Sequence, residues 1–524
     1  VPALRRLIVA LIVFYGAVLA LFSHDGFPTA PRSTAALPYL ADKPLGEDGY
    51  YMLTVAWRLA GSGTFTYNGD IATTGVQPLV TVLAAMLAAV VRVLGGDEWD
   101  FARAMLFAGV LQHVGLFLAL STLVRRLTPP DASAGTIQNL TLVTGALVML
   151  NYGLFRMSTY GLETTLYLIV LALAVSVTVN AQNWTSRTAI GFGVLCGCAT
   201  LARVDFLVIF GVFIATNVVL RRMPLRGAVL ASAAASVVAA PWFIWVYSAT
   251  GHIIPSGGRA QATLISLSSL DARLVPMAEA LAQHSSPLVY LPALTAALNQ
   301  LVPSSMLTAK IGCELALAVV GIHFALRGWR IVRRDAAFVI LAWLAAFAIL
   351  SCIYVLLFWS THFYLRYTAP LLVLVLPLMA LGLWEWLEMK RMAQTFVAAA
   401  AISFAITAYV TLHQGRVGNL HSITAGFVRT ELPPSSQVGA LQSGVIGYYN
   451  PNVINLDGKV NAEAIDATTN GGLVQYIRER NITYLIDWPE VIVDAVGESY
   501  VAKTRRCAVQ PPAGRSVCVV VAAD

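Results

Sequence analysis

Apolar runs dominate this sequence, and there are too many of them for any soluble core. Eleven occupy residues 7–23, 101–124, 138–155, 163–180, 188–202, 206–220, 228–247, 311–326, 336–358, 367–384 and 393–412. A helix needs roughly 17–25 apolar residues to cross a bilayer core, and most of the runs approach or reach that length. Only 12% of the 524 residues are charged, about half the roughly 25% found in soluble domains, and the mean hydropathy is +0.72. Such a chain cannot cover a water-exposed surface of its own size. The composition excludes a cytosolic enzyme, a nucleic-acid binder and a disordered scaffold, and predicts a polytopic α-helical membrane protein embedded in a lipid bilayer. The net charge of +7 then belongs to basic cytoplasmic loops.

Charge bias sets the topology. A further run, 79–94, contains Arg92 and stops at Gly95-Gly96. If it does not span, fourteen basic residues share one side: Arg5/Arg6, Arg125/Arg126, Arg187, Arg221/Arg222/Arg226, Arg327/Arg330/Arg333/Arg334 and Lys390/Arg391. The short loops opposite hold only Arg156, Arg203 and Arg366. If 79–94 spans, every later loop flips and the bias inverts. The positive-inside rule therefore predicts about 11 transmembrane helices, a cytoplasmic N-terminus and an interfacial helix at 79–94 in the first outer loop. The run after Arg5-Arg6 lacks a small-x-small cleavage site before His24-Asp25 and is read as an anchor.

Residues 1–412 thus form a transmembrane part and 413–524 a small extracytoplasmic α/β domain. Strand-like pieces begin at Val438, Val453 and Tyr484, a helical stretch covers Leu473–Arg480, and further strands are expected near Cys507–Val509 and Val517–Val521. Cys196, Cys198, Cys313 and Cys352 lie in apolar runs and read as small buried hydrophobes. Cys507 and Cys518 flank Pro511-Pro-Ala-Gly514. A hairpin there would bring the two sulfurs together, outside the cell, where disulfides persist.

Charge is scarce enough that its placement carries information. Gly46-Glu47-Asp48-Gly49-Tyr50-Tyr51 opens an amphipathic helix over Tyr51–Ala60. Adjacent carboxylates point in different directions, so one can serve as a base while the other orients a partner; they also suit a helix N-terminus. Glu163, in Gly161-Leu-Glu-Thr164, stands at the mouth of a span, beside Arg156 on the preceding one; an ionisable group at that depth suggests function, and a helix cap is the alternative. Arg203-Val-Asp205 splits a long apolar stretch into two halves. Irregular backbone there is tolerated where it lines a cavity, or the pair merely neutralises itself. Arg366 and His362 lie one helical turn apart, and a guanidinium fork suits a phosphate. His252 and Arg259 could join them, or lie in a solvated loop.

Taken together these residues resemble the GT-C superfamily, integral-membrane glycosyltransferases that use polyprenyl-phosphate-linked sugars, and in particular its arabinofuranosyltransferase-like and protein-mannosyltransferase-like branches. The resemblance covers about 40–412 and is strongest over Glu47–Leu79, with its paired acids, Tyr50-Tyr51, Gly61-Ser-Gly63, Asn68-Gly-Asp70 and Thr73-Thr-Gly-Val-Gln-Pro-Leu79. Many relatives open the acidic pair with Asp, whereas Glu47 stands here. The resemblance implies an inner-membrane enzyme of bacterial cell-envelope glycan biosynthesis that transfers a sugar with inversion to a hydroxyl of a glycan, lipid or protein acceptor. It implies Asp48 as base, with Glu47 the other contender. Glu163 would orient the acceptor or share a divalent cation (Mg or Mn) with Glu47. Arg203, Arg366 and His362 would hold the donor phosphate. Tyr50, Gln77, Arg156, His252 and Arg259 would contact substrate. Two other classes fit the same charges, a transporter or flippase of lipid-linked sugar and a non-catalytic assembly subunit. A flippase would show inverted repeats, which the sequence lacks.

Overall fold

The computed structural model describes residues 2–521 apart from 31, 34–36, 150, 181–183, 264–268, 286–306, 359–362, 391–393, 403–404, 406–415, 418–419 and 513–515. Helices cover the expected apolar runs: α1 Pro2–Phe22, α2 Glu47–Ser62, α3 Pro78–Val93, α4 Glu98–Leu127, α5 Ala134–Met149, α6 Tyr152–Thr159, α7 Thr164–Asn180, α8 Ser186–Ala202, α9 Phe206–Val219 and α10 Leu225–Thr250, followed by Leu307–Ile331, Arg334–Leu357 and Leu372–Lys390. The run 393–412 lies largely outside the described residues.

Among the described residues, four helices are long and apolar enough to cross a bilayer unaided: α4, α10, Arg334–Leu357 and Tyr364–Glu388. The expected continuous span at 138–155 is instead two helices bent by 66°, because Asn151 accepts a hydrogen bond from the Leu154 amide and starts α6 afresh. α8 and α9 have 17 and 14 residues. At 1.5 Å per residue each is shorter than the roughly 30 Å hydrocarbon core, which puts their junction, Arg203–Asp205, deep in the protein. Apolar side chains face outward over whole helices; Val229, Val237 and Ile244 of α10 are examples. That is the surface of a multi-pass membrane protein. Cys352 is exposed rather than buried, because its side of Arg334–Leu357 lines an apolar cavity of about 530 Å³. Cys198 is only partly buried. α3 also keeps an outward apolar stripe of Val82, Leu83, Met86 and Val90, while Arg92 stacks 3.7 Å from the Trp57 ring and ties α3 to α2.

The C-terminal part is a five-stranded sheet in the order β4-β3-β5-β7-β6, from β3 Gln437–Ala440, β4 Val453–Asn455, β5 Ile482–Asp487, β6 Arg505–Arg506 and β7 Val517–Val520. β3 runs parallel to both β4 and β5, and the short helix Gly444–Tyr449 lies in the first crossover. The expected strand at Cys507–Val509 is irregular instead; β6 ends at Arg506, where the chain leaves the ladder with β7. A separate two-residue ladder pairs β1 Arg32–Ser33 with β2 Arg416–Val417, holding the segment after α1 against the start of the C-terminal part. Cys507 and Cys518 form a disulfide with Cα atoms 5.5 Å apart, and the Cys507 amide donates to the Cys518 carbonyl. Replacing both cysteines by serine should cost the sheet about 2–4 kcal/mol. Hydrogen exchange over β5 and β7 under increasing denaturant checks this; an unchanged midpoint would count against it.

Candidate active site

The acidic pair sits where α2, the α6–α7 turn and the C-terminal part meet. Gly46 and Gly49 bracket the acids for a steric reason. The Gly46 amide donates to the Tyr160 carbonyl at 3.0 Å, and a side chain on Gly49 would collide with that same carbonyl. Glu47 and Asp48 therefore occupy the first turn of α2, where carboxylates interact favourably with the helix dipole. Their side chains then diverge.

Glu47 turns to the C-terminal part. Its Oε1 accepts from the Gly444 amide at 2.5 Å and its Oε2 from the Val445 amide at 3.0 Å. Burial raises its pKa, against the opposing pull of His421 and of those two amides. The loop that offers the amides is itself held by Asp487 at the end of β5, which accepts from the Leu441 and Gln442 amides at 3.0 and 2.8 Å. With both oxygens committed, Glu47 is a latch for the C-terminal part rather than a free base. Glu47→Ala should cost that docking about 1.5–3 kcal/mol, the scale of hydrogen bonds to a charged group, and Glu47→Gln less, since it keeps one acceptor. Hydrogen exchange over 444–449 reads the loss, and unchanged protection in the Ala variant would refute it.

Asp48 faces two cations. Arg366 Nη1 is 3.4 Å from Oδ2 and Lys459 Nζ is 3.9 Å from Oδ1. Lys459 also pairs with Asp457 at 3.3 Å; burial lowers its pKa, but Asp457 and Asp48 raise it by more, so the group is an ammonium. The Lys459 carbonyl accepts from Ser256 Oγ at 2.9 Å, and it lies so close to Gly75 that any Cβ there would overlap it. The Thr73–Gln77 stretch thus serves to seat Lys459. The Gln77 carbonyl accepts from the Thr81 amide and begins α3.

Glu163 and Arg203 meet in a second, drier cluster. Glu163 is wholly buried and its Oε1 is 3.1 Å from Arg203 Nη1. Arg203 also binds Asp205 through Nε and Nη2, at 3.2 and 2.5 Å, and Tyr354 at 3.1 Å, while the Tyr354 hydroxyl donates to Asp205. The Arg203–Asp205 pair does form, then, but with Glu163 as a third member. Tyr367 links the two clusters. Its ring lies 4.6 Å from the Arg203 guanidinium carbon, 5.5 Å from that of Arg366 and 4.8 Å from the Tyr354 ring. Tyr367 also lines an apolar cavity of about 530 Å³ with Leu274, Phe347, Leu350, Val355 and Thr368.

Several expected site residues lie elsewhere. Arg156 is exposed and stands 5.8 Å over the Tyr160 ring; Glu163 takes Arg203 as its partner because the α8–α9 break delivers a guanidinium at its depth. Tyr50 is fully buried and hydrogen-bonds the Leu40 carbonyl and the Tyr449 hydroxyl, so it braces α2 instead of meeting substrate. Arg259 pairs with Asp466 of the C-terminal part; His252, 3.7 Å from the same carboxylate, is exposed in the loop before it, the solvated alternative. His362 lies outside the described residues. A divalent ion shared by Glu47 and Glu163 does not fit, since backbone amides occupy one carboxylate and Arg203 the other. Among the described residues no three His, Cys, Asp or Glu side chains gather to hold a metal. Lys459, Asp457 and Tyr354 were not singled out from sequence, and Tyr367 only as the neighbour of Arg366. The one available signal was the Asp457-Gly-Lys459 turn, which holds one of only five lysines in the chain.

A family model described as a domain of unknown function (DUF8728) matches residues 408–520. No curated protein matches the chain by sequence. Solved structures match its fold. ArnT from Cupriavidus metallidurans, solved bound to undecaprenyl phosphate, is 13% identical, with 99% of this chain and 98% of that one covered and a TM-score of 0.61. The archaeal oligosaccharyltransferase AglB from Archaeoglobus fulgidus, in complex with an inhibitory peptide and a dolichol-phosphate, is 11% identical, with 95% and 72% covered and a TM-score of 0.51. The chain therefore has the fold of these membrane proteins, the GT-C fold that its motifs resemble.

Proposed function

We propose that the protein is an inverting membrane glycosyltransferase. It takes a sugar from a polyprenyl-phosphate donor and passes it to an acceptor hydroxyl on the extracytoplasmic face of the bacterial inner membrane. The reading places eleven spans in the bilayer, the N-terminus in the cytoplasm and residues 413–524 outside as a separate domain. The observation that carries it is the grouping of one partly exposed carboxylate, Asp48, with two cations, Arg366 and Lys459, within reach of an apolar cavity that begins at Tyr367. Base, anion site and lipid-compatible wall are the three parts the reaction needs.

Asp48 accepts the acceptor hydroxyl's proton as that oxygen attacks the anomeric carbon. The bond from that carbon to the phosphate oxygen breaks, and polyprenyl phosphate leaves with the electron pair. Positive charge develops on the sugar ring, as in glycoside chemistry generally, while negative charge gathers on the leaving phosphate, where Arg366 stabilises it. Arg203 acts through Tyr354 and Tyr367, fixing the wall of the site. The test is to incubate the purified protein with a panel of polyprenyl-phosphate sugars and an acceptor extract. Release of polyprenyl phosphate with a labelled acceptor supports transfer. Movement of intact donor across liposomes without release would support a flippase instead.

A further inference from the structure

Asp48 is paired differently from Glu47, Glu163 and Asp205. Glu47 is gripped by two amides, and Glu163 and Asp205 by Arg203 at 2.5–3.2 Å. The contacts of Asp48 are loose. At 3.4 and 3.9 Å they exceed the roughly 2.7–2.9 Å of a strong charge-assisted hydrogen bond. The three side chains remain 17–30% exposed, and Arg366 Nε has no hydrogen-bond partner among the described residues. Arg366 and Lys459 are thus loosely paired cations, while four of the five N–H groups of Arg203 are committed to Glu163, Asp205 and Tyr354.

We infer that Arg366 and Lys459 mask Asp48 in the free protein, and that the donor's phosphate unmasks it by drawing both cations away. This rests on the proposed function and deepens it. The donor must bind before the acceptor, because the base becomes competent only once the phosphate has taken its counter-ions. The C-terminal part acquires a chemical role, as it supplies Lys459, one of the two switching charges. Asp457 at 3.3 Å keeps the ammonium near the site in both states. Lys459 is a positioning residue for Asp48 before donor binding and a phosphate ligand after it.

The masking can be read without catalysis. Carboxylate and phosphate compete for the same cations, so removing the carboxylate's charge should tighten phosphate binding. We expect Asp48→Asn in the full-length protein, reconstituted in nanodiscs, to bind undecaprenyl phosphate about tenfold more tightly than the unaltered protein, one charge-assisted contact's worth. Lys459→Met should bind it about tenfold more weakly, with Lys459→Arg close to the unaltered protein. In the double variant Asp48→Asn/Lys459→Met the gain from Asp48→Asn should shrink. A purely structural role for Asp48 predicts equal or weaker binding in Asp48→Asn, and that result overturns the inference even if Lys459→Met fails to fold. Failure of the unaltered protein to bind undecaprenyl phosphate at all would instead remove the proposed function, and the inference with it.

Discussion

Asp48→Asn should abolish most of the transfer, lowering turnover by about 10²–10⁴-fold, the usual contribution of a general base, without unfolding the protein. The substitution keeps the shape of the side chain and an oxygen toward Arg366. It loses the charge that suits the first turn of α2, worth about 0.3–1 kcal/mol, too little to unfold a packed membrane domain. What it removes is the capacity to hold the acceptor's proton. Polyprenyl phosphate release by the purified variant, alongside its thermal melting curve, separates the two effects. Turnover at the unaltered rate would place the base elsewhere. Glu47→Gln provides the contrast: its effect should fall on the docking of the C-terminal part before it falls on chemistry.

Arg203→Ala should produce the largest loss of stability, about 3–5 kcal/mol, the cost of removing one partner from a buried ion pair. The arginine is 6% exposed and Glu163 is 0% exposed, so no water replaces the lost guanidinium. Glu163 already has one oxygen, Oε2, without a hydrogen-bond partner among the described residues, and the substitution would strip the other. Asp205 and Tyr354 would keep each other. Arg203→Lys should recover only part of the loss, since an ammonium cannot span Glu163 and Asp205 as a planar fork does. Thermal unfolding in detergent is the measurement. If the Ala variant melts with the unaltered protein and fails only in donor binding, Arg203 is a phosphate ligand and its carboxylate cage is incidental.

How much the sequence told in advance depended on the range of the interaction. The apolar helices were legible because burial in lipid demands long apolar runs, and the α8–α9 break was legible because charges interrupt a hydrophobic stretch. The strands at Val438, Val453, Tyr484 and Val517 announced themselves by local pattern. Partner choice was not legible. Arg156 and Arg203 both lie at loops assigned to the same side as Glu163, and only the packing of α7 against α8 decides between them. Lys459 was invisible for the same reason: nothing near it in the chain indicates that Asp48 will be its neighbour. Tyr354 read as an ordinary membrane aromatic, and His252 and Arg259 gave no hint of Asp466.

The latches of the first loop also impose an order in time. Glu47 meets Gly444 across 397 residues, Tyr50 meets Tyr449 across 399 and Tyr67 meets Ser443 across 376. A ribosome adding about 5–20 residues per second takes roughly 20–80 s to cover such a distance. Throughout that interval the nascent chain carries its acids into the membrane with no Lys459 to face Asp48 and no amides to hold Glu47. A chain cut short by a premature stop before residue 444 would insert its helices yet present an unfinished centre. Completion of translation is thereby the assembly step of the site, and a stalled or clipped copy is inert by construction.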